Sequence, residues 1–228
     1  MTRLKLTRES ILDGSLHAST RALLGPGAEF MGDEERMQQV HQMLARAPRR
    51  ERVWVFGYGS LMWNPAFHYA ERRTARVYGF HRQFCLWSRS GRGSPDRPGL
   101  MLGLEPGGSC HGVAFRIAPD QVESELDVLW RREMGTRSYR PHWVGVRTRS
   151  GIEHAIVFTV NRRHERYVRD LELDEIVRLL VQGAGPLGSC CEYLFDTVAH
   201  LRELGIRDRQ LEALERRVRT MAMPHPAS

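Results

Sequence analysis

The sequence predicts an α+β protein whose sheet is curled or closed. Three observations carry this prediction. Strand-like segments cluster between residues 53 and 160, one amphipathic helix interrupts them, and beyond Glu172 the apolar spacing turns helical.

Residues 1–50 read as a helical arm. Thr7 is placed to cap a short helix, and Gly25-Pro26-Gly27 breaks the chain. Asp33 is placed to cap the next helix, which carries Met37, Val40, Met43 and Leu44 on one face and ends before Pro48. Residues 51–220 form the main domain, and 221–228 a frayed tail.

The domain opens with an apolar strand over 53–57. Further strands are expected at Thr74–Phe80, Arg82–Trp87, Leu100–Leu104, His111–Ile117, Trp143–Thr148 and His154–Val160. Three glycines and two prolines make Ser88–Gly99 a loop. A helix runs from Pro119, suited to a first turn, to Glu133. Later helices carry Ile176, Leu179 and Leu180, then Tyr193 through Leu204, then Leu211, Leu214 and Val218 behind a cap at Asp208.

The first strand stops at Gly57-Tyr58-Gly59-Ser60. Two glycines around a tyrosine let the backbone turn sharply and approach a ligand closely. Successive amides in such a turn can converge on an anion, most simply a carboxylate. The alternative is a strand followed by an ordinary turn.

On the middle helix, Val122, Leu126, Leu129 and Trp130 form an apolar stripe. Glu133 lies four residues past Leu129 and three past Trp130, so it shares that stripe. A glutamate there points inward or into a cleft. Burial and the helix C-terminus both raise a carboxyl pKa and make a better base. The alternative is an ion pair with Arg131, Arg132 or Arg137 closing the helix end. Other candidates carry less. Glu105 belongs to an exposed Pro-Gly-Gly turn, Glu192 to a helix surface, and Cys85 to the core. Cys110 and His111 are adjacent on a strand and point to opposite faces, which makes a poor nucleophile–base pair. His81 and His142 read as structural.

The chain has 228 residues and 41% hydrophobic content, enough for one domain with an added arm. No apolar run approaches the roughly 20 residues needed to span a bilayer. The N-terminus carries no secretory pattern, so a cytoplasmic protein is expected. Four cysteines show no CxxC spacing and read as free thiols, and the ten histidines form no zinc pattern. No metal site and no cofactor motif is expected. The net charge of +7 is mostly scattered arginine. The clusters Arg49, Arg50, Arg52 and Arg72, Arg73, Arg76 lack interleaved aromatics, so a solvated basic face is read, with no nucleic-acid partner. Such a face also attracts small anionic substrates.

In order, these segments resemble the ChaC family of γ-glutamylcyclotransferases, and its bacterial branch in particular. The matching pieces are Val55-Phe56-Gly57-Tyr58-Gly59-Ser60-Leu61-Met62-Trp63-Asn64-Pro65, Arg92-Gly93-Ser94-Pro95 with Pro98-Gly99-Leu100, and Gly107-Gly108-Ser109-Cys110 with Gly112-Val113-Ala114. Arg132-Glu133-Met134 with Tyr139-Arg140-Pro141, and Gly185-Pro186 with Glu192-Tyr193-Leu194, complete the set. The resemblance spans about residues 52–219.

The resemblance implies a small mixed β-barrel with helices around it, and cleavage of glutathione into 5-oxoproline and Cys-Gly. It implies Glu133 as catalytic base and a substrate site formed by Val55, Phe56, Gly57, Tyr58, Gly59, Ser60, Leu61, Tyr139 and Tyr193. Where the family often has Asn, this chain has Cys190, which would alter affinity or specificity if it touched substrate. Other γ-glutamyl peptides or amines as substrates, a non-catalytic regulatory role, and a cysteine-dependent amide hydrolase are the competing readings. The arm lies outside the matching segments and its role is open on this reading, as is the oligomeric state.

Overall fold

The computed structural model describes residues 3–25 and 30–222. The breaking residues Pro26 and Gly27 and the end of the tail, 223–228, lie outside the described residues.

Five strands close into a barrel in the order β1-β3-β2-β4-β5. They are β1 (Trp54–Gly57), β2 (Glu71–Ser88), β3 (Gly99–Arg116), β4 (Tyr139–Thr148) and β5 (Gly151–Val160). Strand β1 runs antiparallel to β3 and parallel to β5, and the remaining pairs are antiparallel. The barrel is therefore mixed, and closure leaves its five strands no free edge.

Four expected strands are two. Strands β2 and β3 are each 18 residues long and run through the glycines that read as turns. Gly79 adopts φ +83° where the register shifts between Tyr78 and Phe80. Across from it lie Pro106 and the left-handed Gly107 and Gly108. Glycine here makes a β-bulge, bending two paired strands together. The same bend overturns the exposed reading of Glu105. It is a strand residue opposite His81, 7% exposed, with one carboxylate oxygen unpartnered and the other 3.5 Å from Arg162.

Helix α4 (Val122–Glu133), preceded by a 3-10 turn over Pro119–Gln121, buries its stripe on the barrel. Trp130 meets Phe158 of β5 edge-on, with centroids 5.4 Å apart. Helices α5 (Leu173–Gln182), α6 (Cys190–Glu203) and α7 (Arg209–Ala222) follow. Asp208 caps α7 through the Leu211 amide, and α6 starts at Cys190, three residues before Tyr193, behind an N-cap at Ser189 in a capping box with Glu192.

The arm forms α1 (Arg8–Leu12), α2 (Ser15–Leu24) and α3 (Asp33–Ala45). Thr7 caps α1 in a capping box with Ser10. Gly32, not Asp33, is the N-cap of α3, and Asp33 sits in its first turn. The arm is latched to the domain by buried charge. Glu125 on α4 is 2% exposed and accepts from both Arg8 of α1 and the His68 amide. Arg36 of α3 pairs with Asp127 at 2.5 Å. Among the described residues, no helix is long and apolar enough to cross a membrane.

Candidate active site

The loop after β1 is held from three sides. Gly57 has no room for a side chain, since a Cβ there would lie 2.9 Å from Leu61 Cβ. Gly59 is tighter, with a Cβ falling 2.5 Å from the Tyr193 hydroxyl. The chain then folds into a 3-10 turn over Ser60–Met62. Arg82 of β2 donates to the Tyr58 carbonyl at 2.6 Å, fixing the loop from below. Arg132 of α4 donates to Ser60 Oγ at 3.0 Å, to the Pro65 carbonyl at 3.0 Å, and to the Asn64 carbonyl.

Glu133 ends α4 beside this loop. Its side chain keeps 15% exposure and meets Arg132 Nε at 2.9 Å. Burial pushes its pKa up, and the Arg132 guanidinium pulls against that rise. Arg131 pairs with Asp127 and Arg137 with Glu35, so neither neutralises Glu133. The inward placement and the ion pair, alternatives at the level of spacing, both occur.

A cavity of about 460 Å³ joins these groups. Its wall includes Tyr58, Gly59, Ser60, Leu61, Glu133, Tyr139 and Tyr193. Burial raises the pKa of all three phenols, with the negative Glu133 adding to the rise, so each stays protonated. Tyr139 donates to the Leu102 carbonyl at 3.0 Å. Val55, Phe56 and Gly57, expected at the ligand, do not line the cavity. They are buried in β1, whose successive residues point to opposite faces that are both covered, and they support the loop from behind.

Cys190 also lies behind the wall. It is fully buried, and its thiol donates to the Arg92 carbonyl at 3.3 Å. Burial pushes its pKa up to about 12. Its influence on the cavity runs through Arg92, which does line it. None of the four cysteines lines the cavity, and neither do His81, His142 or Glu192. Glu192 instead pairs with Arg3 at 3.2 Å and lies 3.8 Å from Arg92.

Several residues at the cavity escaped the sequence reading. The arm supplies part of the wall through Arg3–Leu6, Leu16, His17, Thr20 and Phe30. It reaches the site because the Leu4 amide donates to the Pro186 carbonyl (2.8 Å) and Asn64 Nδ2 to the Leu6 carbonyl (2.7 Å). A small hairpin, β6 (Ala184–Gly185) and β7 (Gly188–Ser189), braces the loop over 89–98 through the Leu187 amide and Gly91 carbonyl, 2.9 Å apart. Arg166 was also missed. Each of these depends on partners distant in sequence.

The family described as ChaC-like protein matches residues 53–221. The chain belongs to the ChaC-like family. It is 42% identical over 182 residues to the glutathione-specific γ-glutamylcyclotransferase of Escherichia coli (strain K12), covering 79% of each chain. It is 30% identical to γ-glutamylcyclotransferase 2-3 of Arabidopsis thaliana, covering 73% of this chain and 88% of that one. Among solved structures, a selenomethionine-labelled γ-glutamylcyclotransferase specific to glutathione from yeast superposes with a TM-score of 0.69 at 25% identity, covering 75% of this chain and 96% of that one. The ChaC-like match begins at residue 53, so the arm that lines the cavity lies outside it.

Proposed function

We propose that this protein is a glutathione-specific γ-glutamylcyclotransferase of the cytoplasm, releasing 5-oxoproline and Cys-Gly. The observation that carries the reading is one carboxylate, Glu133, sharing a cavity with the glycine-flanked loop Tyr58–Leu61. The likeness to the E. coli and yeast enzymes supports the choice of substrate.

The substrate supplies its own nucleophile. Its α-amine attacks the γ-amide carbon and closes a five-membered ring, so holding one geometry contributes roughly 7–11 kcal/mol toward the barrier. The Ser60 amide, which faces the Tyr193 hydroxyl, and the Leu61 amide after it are suited to the α-carboxylate. That grip aims the amine at the carbonyl. Glu133 takes a proton from the attacking ammonium and returns one to the departing nitrogen as the C–N bond breaks. A loop N–H steadies the oxyanion. The phenols of Tyr58, Tyr139 and Tyr193 enclose the γ-glutamyl group as neutral hydrogen-bonding groups.

The test is direct. Purified protein incubated with glutathione should release 5-oxoproline and Cys-Gly in equal amounts, with no free glutamate. Free glutamate without 5-oxoproline would mean hydrolysis by water and would end this reading.

A further inference from the structure

Among the described residues, one buried arginine in the cavity wall makes no ion pair with a carboxylate. Arg132 pairs with Glu133, while Arg3 and Arg92 share Glu192. Lys5 is exposed and solvated. Arg166 differs from all of them. It lines the cavity, and its side-chain hydrogen bonds all go to neutral oxygens: the Trp87 carbonyl at 2.7 Å, Thr136 Oγ1 at 3.1 Å and Ser138 Oγ at 3.3 Å. Its Nη2 makes no hydrogen bond among the described residues and is not sealed from solvent. The adjacent Glu165 is exposed and outside ion-pair distance, so its charge acts on Arg166 only from afar, and the exposed Arg89 opposes it. Burial pulls the Arg166 pKa down. A sunken guanidinium without a carboxylate is costly unless an anion comes to it.

The position fits one part of the substrate. Arg166 is anchored on Thr136, three residues past Glu133, and a turn closed by the Arg137 amide on the Met134 carbonyl (3.0 Å) keeps Thr136 close. Its field reaches Tyr139, which also feels Glu133. Two extended residues span at most roughly 7 Å, so the leaving dipeptide's terminal carboxylate stays within that reach of the scissile bond. Planar guanidinium groups match carboxylates in a bidentate fork.

We propose that Arg166 binds the terminal carboxylate of the leaving dipeptide, so that the site selects γ-glutamyl peptides over γ-glutamyl amines. This rests on the cyclotransferase reading and extends it to the departing side of the scissile bond.

The test compares glutathione with glutathione amidated at its glycine carboxylate. Wild-type kcat/KM should fall on the order of 10- to 100-fold on the amide, mainly through KM, the scale of one hydrogen bond to a charged group. Arg166→Gln should lose a similar factor on glutathione and none on the amide, and Arg166→Lys should recover part of it. Calorimetry on Glu133→Gln, with and without Arg166→Gln, reads the same preference as binding without turnover. Equal wild-type turnover of acid and amide would overturn the proposal and leave the cyclotransferase reading standing. Equal loss on both substrates in Arg166→Gln would reduce the residue to a structural brace. Selective binding of the acid without 5-oxoproline release would keep the Arg166 site and sink the reaction instead. If Arg166→Gln fails to fold, the wild-type comparison and Arg166→Lys decide.

Discussion

Arg132 Nε lies 2.9 Å from Glu133 Oε1, and Nη2 of the same guanidinium donates to Ser60 Oγ at 3.0 Å. Two consecutive residues at a helix end thus join the proposed base to the proposed ligand loop. The guanidinium keeps 4% of its side-chain surface accessible, so its position is set by the protein and not by solvent. It also restrains the pKa rise that burial imposes on Glu133.

Glu133→Gln preserves shape and removes the base. It should fold normally and bind glutathione, yet lose on the order of 10²–10⁴ in kcat. Circular dichroism and 5-oxoproline release check both halves. Because a base acts only when ionised, wild-type kcat/KM should fall as pH drops through the raised pKa of Glu133. The midpoint of that limb should lie above the ordinary glutamate value of 4.5. A midpoint at or below that value counts against Glu133 as the base.

Arg132→Met leaves Glu133 buried without its partner and releases the Ser60 loop. Breaking one side of a buried pair costs roughly 3–5 kcal/mol. For a chain of this length that is a fall in Tm of roughly 5–20 °C. The double variant Arg132→Met with Glu133→Gln should regain part of the Tm and none of the activity. A single variant as stable as wild type would show that the pair is solvated in practice.

Gly59→Val should raise KM, because its Cβ would sit 2.5 Å from the Tyr193 hydroxyl. Tyr193→Phe removes that oxygen, so combining the two should recover part of the lost affinity. An unchanged KM in Gly59→Val means the loop does not meet the ligand.

Thiol-blocking reagents should leave initial turnover intact. None of the four cysteines lines the cavity, and burial pushes up the pKa of each thiol, making it a weak nucleophile at neutral pH. Rapid loss of activity that tracks labelling of one cysteine would revive a thiol mechanism.

The parts of this protein legible in its sequence are those governed by neighbours within one helical turn. Thr7 and Asp208 cap helices through amides three residues on, and the α4 stripe carries Glu133 inward by i+3 and i+4 spacing. The loop Tyr58–Leu61 was equally plain, because two glycines at a strand end are a local signal. Glu105 was misplaced because Pro106-Gly107-Gly108 obeys the local rule for a turn. Only its pairing with a bulge at Gly79 reveals a continuous strand. Val55 and Phe56 stand beside the loop in sequence, yet they point to opposite faces of a strand that is buried on both.

By itself, then, the chain's order of residues determined the caps at Thr7 and Asp208, the inward acid and the turn after the first strand, since each depends on short-range spacing. Tertiary structure alone decided which cations acquire partners, that the arm walls the cavity, and that Arg166 lines it with no carboxylate partner among the described residues. Those outcomes are contacts between segments tens of residues apart, and the energy of such a contact exists only once the barrel has brought its two sides together.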